Sequence, residues 1–179
     1  HEFSWYSLSQ IVSQASAFVG IIFVSRYLGP TNLGLYAFAQ NYALWFLTVL
    51  AGIDFNFSWI IASSKNVLAD IKTYTMQKFY IISIIVLLAV GLGFLFLPHD
   101  VAVLVSLIFI PLLGNSLSGF YMYSIMSRRA KMIGILSSIS SISLLIAKVL
   151  AVYSEASLKV FVFIAGCDIA FVSIFSAVY

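Results

Sequence analysis

The chain has 179 residues, 63% of them hydrophobic and 8% charged, with a formal net charge of +3 and a mean hydropathy of +1.10. Soluble domains carry about 25% charged residues, so this composition excludes a soluble globular protein and identifies an all-α, polytopic integral membrane protein. The positive balance needs no nucleic acid: no basic run is interleaved with stacking aromatics, and the placement of Lys and Arg around membrane helices accounts for it.

A bilayer core takes about 20 apolar residues per helix, and six segments qualify: 8–27, 34–54, 77–98, 101–125, 132–153 and 158–178. The first has no basic stretch before it and no small-residue cleavage site before its loop, so it reads as a membrane helix and not as a signal peptide. On it Gln10, Ser13, Gln14, Ala17 and Gly20 share one side, because residues three, four or seven apart lie on one face. Gly29-Pro30 stops it: proline lacks an N–H, and the residue before it is pushed out of helical geometry. The second segment aligns Asn41, Trp45, Thr48, Gly52 and Asn56. In the connection at 55–76, Val67, Leu68, Ile71 and Tyr74 fall at helical spacing, with Lys65, Asp70 and Lys72 on other sides. That fits either an amphipathic segment on the membrane surface or an extension of the flanking helices.

The third segment has almost nothing polar after Ser83 and is placed against lipid. Pro98-His99-Asp100 separates it from the fourth, which holds Pro111, Asn115 and Ser118 on one side. Pro111 removes one backbone hydrogen bond and should kink that helix. Ser127-Arg128-Arg129 closes the fourth segment. The fifth aligns Gly134, Ser137, Ser141, Lys148 and Glu155, and the sixth carries the lone Cys167 beside Asp168. Tyr27, Tyr36, Tyr121 and Tyr123 lie near predicted helix ends, where amphipathic rings favour the membrane interface. No hydrophilic stretch is long enough for a soluble domain, so residues 1–179 read as a single membrane domain. Beginning at His-Glu-Phe and stopping at Tyr179, where the sixth segment ends, the chain reads as a fragment or a trimmed form of a longer one.

Short cytoplasmic loops carry an excess of Lys and Arg. Lys65, Lys72, Lys78, Arg128, Arg129 and Lys131 fall in one set of connections, and only Arg26 and Lys159 in the other. Six against two puts both ends of the chain in the cytoplasm.

A charge inside a membrane helix is expensive and usually faces a bundle interior or an aqueous path. Lys148 and Asp168 are therefore the leading candidates for a functional site, joined by Gln10, Gln14, Asn41, Asn115, Ser137 and Ser141. Small and weakly polar residues are also ordinary helix-packing material in lipid, which is the competing reading for the serines. At 1.5 Å per residue, Lys148 and Asp168 differ in depth by about 8 Å, near the reach of a lysine stem. Direct pairing and separate roles both stay open. There is no cluster of His, Cys, Asp and Glu with metal-ligand spacing, no nucleophile beside a base and no Gly-rich phosphate loop. No catalytic residue, metal or other cofactor is expected.

Residues 26–42, Arg-Tyr-Leu-Gly-Pro-Thr-Asn-Leu-Gly-Leu-Tyr-Ala-Phe-Ala-Gln-Asn-Tyr, resemble the opening signature of the polysaccharide biosynthesis flippases. These are the O-antigen, teichuronic-acid and capsule repeat-unit exporters of the multidrug/oligosaccharidyl-lipid/polysaccharide superfamily. Arg26, Leu28, Gly29, Pro30, Gly34 and Tyr36 carry the match. Ala51-Gly52-Ile53-Asp54 and an Arg-Arg-x-Lys loop at 128–131 agree in outline. The resemblance implies a transporter of two helical lobes around a V-shaped cavity, with these six helices as the N-terminal lobe. It also implies an undecaprenyl-diphosphate-linked oligosaccharide as substrate, a bacterial cytoplasmic membrane location, and other polysaccharide-assembly membrane proteins as partners besides membrane lipid. Cavity cations in such flippases meet the anionic carrier; Lys148 is the candidate here and Arg26 the second. Arg26 points about 160° away from the Gln10/Gln14 stripe, which suits the outer rim and the Gly-Pro turn. Alternatives are a cation-coupled multidrug or metabolite exporter of the same superfamily, a membrane-embedded glycan polymerase or acyltransferase, and a small six-helix protein that dimerises.

Overall fold

Apolar runs in a bilayer satisfy their backbone groups only as helices or closed barrels, and among the described residues every element is helical. The computed structural model describes residues 2–63, 66–120, 123 and 130–178, with the side chains of 2–6, 58–63, 130, 169 and 172–178 excepted. The elements are α1 (Glu2–Ser63), α2 (Val67–Phe96), α3 (His99–Leu112), a 3-10 turn (Leu113–Leu117), α4 (Ala130–Tyr153) and α5 (Leu158–Val178). His1, Lys65, Tyr121, Arg128 and Arg129 lie outside the described residues.

The first two predicted segments are the halves of α1, joined without a loop. The break is at Gly29, with φ +69° and ψ 174°, a region that is essentially accessible only to glycine. Pro30 follows at the start of the second half, where its missing N–H leaves no intrahelical bond unmade. Gln14 and Gln40 line one cavity, although a straight helix would hold them about 39 Å apart. The break therefore folds the second half back beside the first.

α1 runs to Ser63 and α2 begins at Val67, so the described parts of this connection, 55–63 and 67–76, extend the membrane helices and form no separate surface segment. Ile71 and Tyr74 bury against Phe57 there, with the Tyr74 and Phe57 rings stacked 3.5 Å apart. The fourth predicted segment is interrupted. Pro111 cannot supply the N–H that continues the α pattern, and the chain tightens into the 3-10 turn directly after Leu112.

Among the described residues, stretches long and apolar enough to cross a membrane are Ser7–Phe57, Val67–Phe96, His99–Phe120 and Lys131–Tyr153, the first spanning 51 residues across the Gly29 break. The chain is a multi-pass, all-α membrane protein. Its core joins Val24, Ala39 and Ala43 of α1, Val105, Ile108 and Phe109 of α3, and Phe161, Val162 and Ala165 of α5. Gly166 of α5 allows a close crossing: a Cβ there would stand 2.5 Å from the Ile108 carbonyl oxygen and 3.1 Å from Pro111 Cγ. α2 packs on α3 and turns Ile84, Leu87, Leu88, Leu95 and Phe96 outward, an apolar surface suited to lipid. Next to the Gly29 break, the Tyr27 hydroxyl donates to the Ala156 carbonyl at 3.1 Å and its ring meets Phe161.

Candidate substrate cavity

α4 lies along the first half of α1, where the Ser141 hydroxyl donates to Ser13 Oγ at 3.1 Å. Two turns further on, Lys148 occupies the space left by Gly20. Its ammonium donates to Asp168 Oδ2 of α5 at 3.4 Å, with the lysine side chain 9% exposed and the aspartate 43%. The pair thus forms across the depth gap, the flexible lysine stem covering the difference. It is asymmetric: a buried cation held by its packing, and a carboxylate open to the space beside it.

That space is a cavity of about 380 Å³ lined by Gln14, Ala17, Phe18, Ile21, Tyr36, Gln40, Lys148 and Asp168. A second, of about 290 Å³, is lined by Ala37, Gln40, Asn41, Leu44, Ile108, Ala165 and Asp168. Gln40 and Asp168 belong to both, so the two adjoin at the acidic group. A narrow crevice behind the pair is lined by Ser13, Ser16, Ser141 and Lys148 among others. Of the candidates, the structure gathers Gln14, Asn41, Ser141, Lys148 and Asp168 here, whereas Gln10, Asn115 and Ser137 do not line these cavities. Arg26 is exposed near the Gly29 break and lies away from them.

Two cavity residues escape the stripe reading. Gln40, whose Nε2 donates to Tyr36 Oη at 3.1 Å, precedes Asn41 and sits about 100° around the helix from it. Tyr36 is buried and lines the larger cavity, so it is not an interfacial ring at a helix end. The cavity thus offers one ammonium, one carboxylate, amide groups and a phenol. These are groups that bind and orient a polar or anionic ligand; they make no nucleophile–base pair.

A second polar cluster lies toward the Ser63 end of α1. Lys78, fully buried, contacts Asp54 Oδ1 at 2.5 Å. Tyr74 also donates to Asp54, and Ser118 donates to it at 2.9 Å while accepting from Lys78. Lys78 is therefore not a loop cation, as its place at the very start of the third predicted segment suggests, but a neutralised charge inside the bundle. Ser118 belongs to this cluster and not to the central cavity.

A family model described as polysaccharide biosynthesis protein matches residues 1–179, the whole sequence. No curated protein and no solved structure shows significant similarity to the chain. Members of the matched family are typically transporters and not enzymes. A multi-pass helical bundle with a polar cavity around a lysine–aspartate pair agrees with that match over the full sequence, and the chain belongs to the polysaccharide biosynthesis protein family, with a role in polysaccharide synthesis and export.

Proposed function

We propose that the chain is part of a flippase that passes a lipid-linked oligosaccharide, carried on undecaprenyl diphosphate, across the bacterial cytoplasmic membrane by alternating access. The observation that carries this reading is the Lys148–Asp168 pair on the wall of the shared cavity. A buried ammonium whose counter-charge is half open to the cavity can exchange that partner for a diphosphate, which satisfies it at least as well. The amide and phenol groups around it suit a hydroxyl-rich cargo. In this reading the bundle is one of two lobes that rock about a site deep in the membrane. Both ends of the chain face the cytoplasm: with Lys78 withdrawn from the loop count, five cations still oppose Arg26 and Lys159.

Deleting the gene should trap the lipid-linked repeat unit on the cytoplasmic leaflet; unaltered surface glycan would overturn the proposal. A second reading is favoured by the exposure of Asp168 alone: a cation-coupled exporter that uses its carboxylate as the ion site. Asp168→Asn would then abolish ion-driven efflux, and efflux that survives the substitution would eliminate it.

A further inference from the structure

The cavity system continues along α1 past the charged pair. Asn41 and Leu44, which line the smaller cavity beside Asp168, also line an open depression of about 320 Å³ with Trp45 and Thr48. Asn41, Trp45 and Thr48 are four and three residues apart, so they share one helical face. Trp45 is 79% exposed, and Asn41 and Thr48 are exposed with it. The Thr48 hydroxyl donates to the Leu44 carbonyl at 2.9 Å, which engages its proton and leaves the oxygen to act as an acceptor. From Asn41 to Thr48 this face rises about 10 Å, the scale of one or two sugar rings.

A bare indole could in principle lie against lipid, but an exposed primary amide one turn away is costly there. The same pair is well matched to a sugar. The ring face receives the apolar C–H side of a pyranose, and the amide and hydroxyl meet its hydroxyl groups in a geometry that fixes orientation.

We infer that Asn41, Trp45 and Thr48 form a saccharide subsite, so that the glycan extends along the second half of α1 from a diphosphate held at Lys148. This assignment rests on the lipid-linked oligosaccharide reading. It predicts separable contributions to binding: Lys148 acts on the carrier, Trp45 on the sugar.

The test uses the transporter expressed from its complete gene, in lipid nanodiscs, with two probes. One is undecaprenyl diphosphate alone; the other is the lipid-linked oligosaccharide extracted from membranes of cells lacking the gene. Trp45→Ala should weaken binding of the glycosylated probe about tenfold while leaving the bare carrier unchanged, and Trp45→Phe should recover most of the loss. Lys148→Ala should weaken both probes. If Trp45→Ala weakens both probes equally, the indole packs against protein or lipid and the subsite is overturned; if it weakens neither, the subsite is overturned as well. Wild-type protein that binds neither probe, or a Lys148→Ala variant that binds both normally, would overturn the carrier reading instead.

Discussion

Gly20 leaves the space that Lys148 fills: a Cβ built on it would stand 3.3 Å from the lysine Cδ and 3.9 Å from Nζ. A flexible stem can yield a few tenths of an ångström to one methyl, so Gly20→Ala should be nearly silent. Gly20→Val should push the ammonium off its line to Asp168 and lower glycan export as Lys148→Ala does, by about tenfold or more, with protein levels near normal in both cases. An export assay with an immunoblot of the same membranes checks this; equal loss of export and protein would assign Lys148 a structural role. The Asp54–Lys78 pair should behave in the opposite way. Lys78→Met strands a largely buried carboxylate, which should lower stability by about 3–5 kcal/mol, and the double substitution Lys78→Met/Asp54→Leu should restore much of it, as read by thermal unfolding in detergent. Lys148 and Asp168 were legible in the sequence because a charge inside an apolar run has few explanations. Lys78 was not, because a lysine near a predicted helix end looks like a topological signal, and its partner is 24 residues away. Gln40 was hidden for another reason: the periodic stripe that picks out Asn41 leaves its neighbour on a different face, and only the crossing of two cavities brings both into use.

At the scale of the helices, the spans could be read from hydropathy alone, but their joints could not. Gly29 and Pro30 predict a stop between two helices, and the structure makes it a one-residue reversal. Gly29→Ala would force a side chain into a backbone region open essentially to glycine, and should lower stability by about 1–3 kcal/mol. Gly166→Ala should cost a similar amount by overpacking, because the methyl would meet the backbone of Ile108, which cannot step aside as a side chain can. Both are measured by the midpoint of thermal unfolding, and a change below about 0.5 kcal/mol would refute the geometry behind either. The extension of α1 and α2 beyond the predicted spans is set by packing of Phe57 on Tyr74, a contact between distant residues that no local pattern contains.

For the whole molecule, the prediction concerns which faces meet water. α2 turns Leu87 outward at 74% exposure, and Gln14 is exposed on the cavity wall. In a Cys167→Ala background, Gln14→Cys should react readily with a charged maleimide while Leu87→Cys stays at least tenfold slower, since thiolate chemistry needs water. Equal rates would mean that the polar face is not an aqueous one.

The bond from Tyr27 to Ala156 reaches across 129 residues of sequence, and it bears on how the protein is made. Chains are synthesised from the N-terminus at about 5–20 residues per second, so the hairpin at Gly29 waits several seconds before its clasp exists. Until α4 and α5 leave the ribosome, Gln14, Gln40 and the bed prepared for Lys148 stand open within the bilayer. The newborn helices would therefore need an attendant insertase to shield that polar seam, and a nascent chain halted before Ala130 would be the species most readily recognised by membrane quality control.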